Sequence, residues 1–196
     1  MGARLMACSI SLLLLSDGQS AAQLALAPSS EQSNDWKPVI YSDLSTPTAN
    51  SAVYQELWAK EIAANNQAYV AKGDFRWTYG NAPAFESHFV VRSPAKTVIL
   101  TVLDTGSGCS NNRDQSAGAA TVKFCPLLIA TYQGATVTII RGRKGCFLEN
   151  GSASHAGDPT DSVSYAAYDK QRKAIELGTI VNHHPVSGCS STIRLE

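Results

Sequence analysis

The sequence predicts an α+β domain in which mostly antiparallel strands form a β-sandwich or an open barrel, with one N-terminal amphipathic helix and disulfide bracing. Three observations lead to this prediction. A single helix-like segment precedes a long series of short runs rich in Val, Ile, Thr, Phe and Tyr. Gly, Asn, Ser and Pro separate these runs, and no helical crossovers lie between them, which is typical of antiparallel pairing. An even number of cysteines remains after an N-terminal leader is set aside.

Residues 1–22 have the features of a secretory signal peptide. Arg4 supplies a positive start, residues 7–16 are apolar or small, and a small-residue cleavage site ends at Ala22. The apolar run stops at Asp17, well short of the about 20 apolar residues that a membrane-spanning helix requires. We therefore expect a periplasmic or secreted protein whose mature chain contains no integral membrane segment.

The remaining chain is expected to consist of an arm and one domain. Residues 23–50 are rich in Ser, Pro, Thr and Asn, which is typical of a flexible or extended segment. Residues 51–196 have a length that suits a single domain with its own core. Across the whole chain, 16 Lys and Arg residues balance 16 Asp and Glu residues. A balanced surface has no net field to attract nucleic acid, so we expect no nucleic-acid partner.

The amphipathic helix is predicted over residues 51–70. This segment contains no Pro or Gly, and apolar residues such as Leu57 recur at helical spacing. Either Asn50 or Ser51 can cap its start, and Gly73 follows its end. Such an apolar stripe indicates a helix that packs against the core.

The strands are predicted after residue 73, where the apolar runs become short and β-branched. Residues 150–161 form the longest irregular stretch and are expected to be a loop. The predicted strands cover residues 75–79, 87–92, 97–103, 121–132, 135–141, 146–149, 163–169, 173–181 and 191–195.

The cysteines of the mature chain, Cys109, Cys125, Cys146 and Cys189, predict two disulfide bonds. Zinc is the competing interpretation, but no pair has the Cys-x-x-Cys spacing that lets one turn offer two thiolates. Four cysteines allow three connectivities. Cys109–Cys125 with Cys146–Cys189 is favoured, because the first would close a local loop and the second would hold the C-terminal strand.

The run Asp104-Thr105-Gly106 raises the possibility of peptidase chemistry. Residues 88–106 place two apolar strands before it and resemble the hairpin that precedes the catalytic turn in the retropepsin family of aspartic peptidases. The resemblance implies a catalytic role for the Asp104 carboxylate. Because the chain has no second Asp-Thr-Gly, only a homodimer could supply the second aspartate that such chemistry needs.

The sequence departs from the retropepsin pattern after Gly108. A polar segment follows where the family has an apolar strand, and the nearest later pair of apolar residues, Ile139 and Ile140, runs directly into Arg141. A second interpretation explains the same residues without dimerisation: Asp104 ends a buried strand and accepts hydrogen bonds from the turn that follows. A three-residue motif has a high false-positive rate, and the turn is favoured.

Other catalytic and metal chemistry has little support. The chain has four histidines and no Gly-x-Ser-x-Gly elbow. A metal site could use His155, His183 or His184, but adjacent residues of an extended chain point to opposite faces, so His183 and His184 do not naturally share an ion. We predict no metal and no cofactor, although the sequence leaves the role of these histidines open.

A cluster of positive charge provides the candidate binding residues. Arg141, Arg143 and Lys144 lie beside a predicted turn, and His155 lies in the longest loop. Guanidinium groups bind carboxylate and phosphate groups bidentately. The alternative is a solvated hairpin tip. The sequence thus predicts a small exported binding protein, such as an inhibitor or immunity-like protein, that acts on another exported macromolecule. The alternative function is a homodimeric retropepsin-like aspartic peptidase that uses Asp104.

Overall fold

The computed structural model describes residues 36–73, 80–111, 121–149, 162–181 and 184–195. The predicted signal peptide, the strand predicted over 75–79 and the loop with His155 lie outside these residues, as does His183. The elements are β1 (Lys37–Pro38), β2 (Ile40–Asp43), α1 (Ala52–Leu57), α2 (Ala59–Ala71), β3 (Phe85–Arg92), β4 (Thr97–Asp104), β5 (Ser110–Asn111), β6 (Val122–Gln133), β7 (Thr136–Leu148), β8 (Ser162–Asp169), β9 (Ala174–Val181), β10 (His184–Pro185) and β11 (Ser191–Arg194).

The strands form two sheets. The six-stranded sheet has the order β2-β3-β4-β6-β5, with β7 also paired to β6. The five-stranded sheet has the order β1-β8-β9-β10, with β11 also paired to β9. All pairings of the described strands are antiparallel, which confirms the predicted strand arrangement. Neither sheet closes into a barrel within the described residues.

Both faces of the six-stranded sheet are buried at its centre. On one face, Leu100 and Leu127 share a hydrophobic cluster with Ile175 and Ile193 of the five-stranded sheet. The other face packs against the helices in a second cluster, which includes Trp58. This explains the continuous apolar sequence of β4, since residues that alternate across a strand all reach a core here.

Two helices, separated at Trp58, occupy the stretch predicted as one helix. The backbone of Trp58 has φ −105° and ψ 11°, outside the helical region. Its indole is buried and Nε1 donates a hydrogen bond to Thr101 Oγ1 at 3.2 Å. Ser51 occupies the N-cap position of α1, but its hydroxyl contacts Thr48 and caps no helical N–H. Gly73 follows α2 with a φ of +70°, which suits a residue that ends a helix.

Part of the segment assigned to the N-terminal arm belongs to the sheets. β1 pairs with β8, and β2 pairs with β3, so a few residues reach both sheets. Tyr41 of β2 contacts Phe147 edge-on, with ring centroids 5.5 Å apart. This end of the described chain therefore extends both sheets.

The disulfides are Cys109–Cys125 and Cys146–Cys189, which confirms the favoured connectivity. The first joins the segment before β5 to β6, and the second joins β7 to the segment before β11. Disulfides are typical of proteins from an oxidising compartment. No helix in the described ranges has the length and apolar character needed to cross a membrane.

Candidate functional site

The Arg-Gly-Arg-Lys-Gly segment lies within a strand. The prediction of separate strands over 135–141 and 146–149 was wrong, because β7 continues through the intervening residues. Leu127 pairs with Arg143 and Ile129 pairs with Ile140, so two residues of β7 face one residue of β6 in a β-bulge. Gly142 has a φ of +88°, a conformation that glycine adopts without strain. The sequence indicated a turn beside Gly142, and the structure has a β-bulge there instead.

The first nine residues of β7, residues 136–144, are all exposed. They include Val137, Ile139 and Ile140, whose exposed fractions are 48%, 43% and 49%. Among the described strands, β7 pairs only with β6, so its outer edge has no strand partner there. We refer to residues 136–144 as the exposed half of β7.

Arg141 is held against the helices. Its Nη1 lies 2.7 Å from Glu61 Oε1, and its Nη2 donates a hydrogen bond to the carbonyl oxygen of Leu57 at 2.7 Å. Its guanidinium also lies 5.6 Å from the centre of the Trp58 ring, within the range of a cation–π contact. Arg141 is exposed, but these contacts hold its guanidinium against the helices, which leaves it less free to bind a partner.

Arg143 lies on the other side of the six-stranded sheet. It lines a groove together with Arg172 and Arg194, which belong to the turn after β8 and to β11. The structure therefore separates Arg143 from Arg141. Lys144 is exposed next to Arg143. Sequence reasoning did not identify Arg172 and Arg194, since only the pairing of β11 with β9 brings Arg194 to this place.

Asp104 ends β4 and is buried. Its Oδ1 accepts a hydrogen bond from the Gly106 N–H at 2.8 Å, as the turn interpretation predicts. Its Oδ2 lies 2.9 Å from Lys123 Nζ, which also lies 2.9 Å from Glu149 Oε1. Burial alone would lower the pKa of the Lys123 ammonium, but hydrogen bonds and charge from Glu149 and Asp104 outweigh this effect and raise that pKa. Lys123 therefore remains a cation at neutral pH and is poorly suited to act as a nucleophile.

A pocket of about 560 Å³ opens beside this ion pair. Most of its lining side chains are aromatic or acidic. Besides Asp104, Lys123 and Glu149, the lining includes Tyr41, Tyr69, Phe85, Glu86 and Phe147. Glu86 is fully buried, and its Oε1 lies 2.8 Å from His88 Nδ1. Thr101 donates a hydrogen bond to Glu86 Oε2 at 2.9 Å.

The Glu86–His88 pair was not identified from the sequence. The available signal was the spacing, because residues two apart on β3 point to the same face. The Tyr54 ring stacks on His88, with ring centroids 4.2 Å apart. Burial, assisted by the negative charge of Glu86, raises the pKa of the Tyr54 hydroxyl. Tyr54 is therefore neutral at physiological pH. The polar contacts of Glu86 and the stacking of Tyr54 on His88 are all made within this group of side chains.

One group in the described residues has the proximity of metal ligands, Asp104 with Cys109 and Cys125. The two sulfur atoms are bonded to each other, so neither is a thiolate that could bind an ion. His184 is exposed at the start of β10. The other two histidines considered above, His155 and His183, lie outside the described residues.

The chain has no significant match to a protein-family model, to a curated protein or to a solved structure. Two regions of the described chain have the geometry of a candidate site: the exposed half of β7 with the adjacent arginine groove, and the pocket beside Asp104.

Proposed function

We propose that this is a small exported binding protein, inhibitor-like or immunity-like, that engages another exported protein through the outer edge of β7. The observation that carries the proposal is the exposed half of β7, with nine consecutive exposed residues at an edge that no described strand covers. An edge strand presents backbone N–H and C=O groups that can pair with a strand of another chain.

The side chains of the exposed half favour a specific contact. Val137, Ile139 and Ile140 would lose water-exposed apolar surface on binding, which is favourable by about 25 cal/mol per Å². Arg143 and Lys144 add positive charge at the end of this surface. Charge complementarity then favours a partner with an acidic surface and speeds its association.

The scaffold that we propose for this surface is a β-sandwich. The cluster that contains Leu100 and Ile175 draws on both sheets, as a sandwich requires. The two disulfides restrict the chain near β6 and at the buried end of β7. A rigid scaffold lowers the ordering entropy that binding must overcome.

The homodimeric aspartic peptidase remains the alternative proposal. Its support is the Asp104-Thr105-Gly106 motif, together with the pocket at its side. Such a peptidase needs two aspartates that share a proton. The ion pair of Asp104 with Lys123 favours the turn interpretation, because an ammonium already neutralises this carboxylate.

The test is partner capture by the oxidised chain of residues 23–196. Proteins exported by its own source and by neighbouring organisms are passed over the immobilised chain, and bound proteins are identified by mass spectrometry. We expect one partner at near-equal stoichiometry. We expect Ile139→Asp or Arg143→Glu to weaken its binding by about tenfold or more, since replacing a key interface residue costs about 1–2 kcal/mol or more of binding free energy. Lys37→Glu is the control, because β1 is on the edge of the five-stranded sheet opposite β11.

Equal capture of that partner by the wild-type chain and both β7 variants would reject the β7 surface. Bound proteins recovered as fragments with common cleavage sites would instead favour the peptidase. Thermal unfolding of each variant checks that the substituted chain is folded.

A further inference from the structure

Three arginines from separate parts of the chain meet in one groove. Arg143 comes from β7, Arg172 from the turn between β8 and β9, and Arg194 from β11. Ala174 and Thr192 complete the described lining, and the groove has a volume of about 750 Å³. All three arginines are exposed.

The positive charge of this groove is only partly balanced. Arg172 faces two carboxylates, with Nε 3.4 Å from Asp169 Oδ2 and Nη1 3.3 Å from Glu176 Oε1. Arg143 and Arg194 form no ion pair with any carboxylate of the described residues. Among the described residues, two guanidinium charges therefore have no carboxylate partner and lie beside a third.

Like charges that converge repel one another, whereas an anion placed between them would be attracted by each. Arginine does not lose its proton in proteins, so the groove cannot relieve the repulsion by titration. The guanidinium group also presents a planar fork of N–H donors that matches the oxygens of phosphate and carboxylate groups. The groove therefore has the chemistry of an oxyanion site.

We infer that this groove binds the phosphate group of a phosphate monoester. A phosphate monoester carries about 1.5 to 2 negative charges at neutral pH, which is close to the charge of the two guanidinium groups that have no carboxylate partner among the described residues. Its three terminal oxygens point in different directions, so arginines from three elements can each approach one of them. The hydroxyl of Thr192 can donate to the same group. This site goes beyond the proposed function, because it requires no protein partner at β7.

Isothermal titration calorimetry with phenyl phosphate, at constant ionic strength, tests the inference. We expect one saturable site per chain. Affinity should fall by about tenfold from about pH 8 to about pH 5, because the monoester gains a proton with a pKa near 6 while arginine stays charged. Arg194→Gln and Arg143→Gln should each weaken binding by about tenfold, and Arg172→Gln should do so less, because its charge is shared with Asp169 and Glu176.

Lys37→Gln is the matched control, since it removes one exposed positive charge from the opposite edge of the five-stranded sheet. The inference is overturned if Lys37→Gln weakens binding as much as Arg194→Gln, if both arginine variants bind as the wild type does, or if succinate binds as tightly as phenyl phosphate. Because Arg194 lies outside β7, its variant separates loss of this site from loss of the partner surface.

The source of the phosphate is resolved with vesicles. Co-sedimentation with vesicles containing phosphatidic acid, whose headgroup is a monoester, but not with those containing phosphatidylglycerol, a diester, would support the site and assign it to a lipid surface. Binding of phenyl phosphate without binding to either vesicle would support the site and assign it to a soluble phosphorylated ligand.

Discussion

The two halves of β7 differ although one continuous strand contains both. Residues 136–144 are exposed, whereas residues 145–148 are buried or nearly so. β6 pairs with both halves, so the backbone ladder does not explain the difference. In the buried half, Phe147 enters the core between the sheets and Leu148 packs near Cys189. Backbone pairing and side-chain burial in β7 therefore depend on different neighbours. The exposed half is paired to β6, but its side chains are not covered by a core.

The disulfide at the buried half should give the largest effect. Cys146→Ala with Cys189→Ala removes a bridge that spans 43 residues, and Cys109→Ala with Cys125→Ala removes one that spans 16. Restriction of the unfolded chain predicts losses in the free energy of unfolding of about 4 and about 3 kcal/mol, respectively. Urea unfolding of the two double variants measures both values. A smaller loss for the Cys146–Cys189 double variant than for the Cys109–Cys125 double variant would contradict an effect that acts through restriction of the unfolded chain.

Truncation of one apolar side chain in each half should give the next largest contrast. Leu148 is 0% exposed, so Leu148→Ala should reduce the free energy of unfolding by about 2–5 kcal/mol. Ile140 is 49% exposed, so Ile140→Ala should change it by no more than about 0.5 kcal/mol. Denaturant midpoints at unchanged slope measure both effects. Similar losses in the two variants would mean that something covers the exposed half in the free protein.

Two glycines of β7 separate crowding from backbone strain. A Cβ at Gly145 would lie 2.7 Å from Val102 Cγ2 and 2.9 Å from Leu127 Cδ1, so Gly145→Ala should destabilise by about 1–3 kcal/mol. A Cβ at Gly142 meets no atom within 4 Å, but a φ of +88° is strained for alanine, at a cost of about 1–2 kcal/mol.

Asparagine at the same two positions distinguishes these causes. Asparagine tolerates positive φ better than alanine does, so Gly142→Asn should be more stable than Gly142→Ala. Gly145→Asn should be less stable than Gly145→Ala, because its side chain is larger in a crowded site. Thermal unfolding of the four variants gives the order, and the same order at both positions would contradict the assigned causes.

Local patterns predicted the antiparallel strands and both disulfides. The β-branched runs around β4 and β6 fixed these strands to within a few residues, because both are buried on two faces and their apolar pattern is strong. Local patterns failed at Gly142, where glycine allows a bulge instead of a turn. They also indicated nothing unusual at Ile139, because an apolar side chain in a strand usually faces a core.

Local sequence patterns could not predict the arginine groove, for a different reason. Arg143 and Arg194 are distant in sequence, and they meet only because β11 pairs with β9 and the five-stranded sheet faces β7. By contrast, Asp104-Thr105-Gly106 is a local motif, and the hydrogen bond from the Gly106 N–H was foreseeable. Its partner Lys123 was not, because it lies on β6, outside the motif.

The ion pair beside the buried half should give a small effect. Asp104→Asn keeps an oxygen for the Gly106 N–H but removes the charge that faces Lys123, which retains Glu149 as a partner. We expect a loss of about 1 kcal/mol in the free energy of unfolding. Because the pKa of Lys123 is raised in the folded state, the difference between Asp104→Asn and the wild type should be complete from neutral pH up to 10.5 and should shrink as pH rises further and Lys123 loses its proton.

Urea unfolding from neutral pH to above pH 10.5 measures this difference, and a difference that grows with pH would contradict the role assigned to Lys123. The same variant addresses the alternative function. If Asp104 were a shared-proton peptidase carboxylate, Asp104→Asn would abolish the acid-optimum cleavage that the wild-type chain shows. Such a loss of rate corresponds to far more than about 1 kcal/mol in activation free energy. If Asp104 only anchors the turn, capture of a partner by the exposed half of β7 should be unchanged in Asp104→Asn.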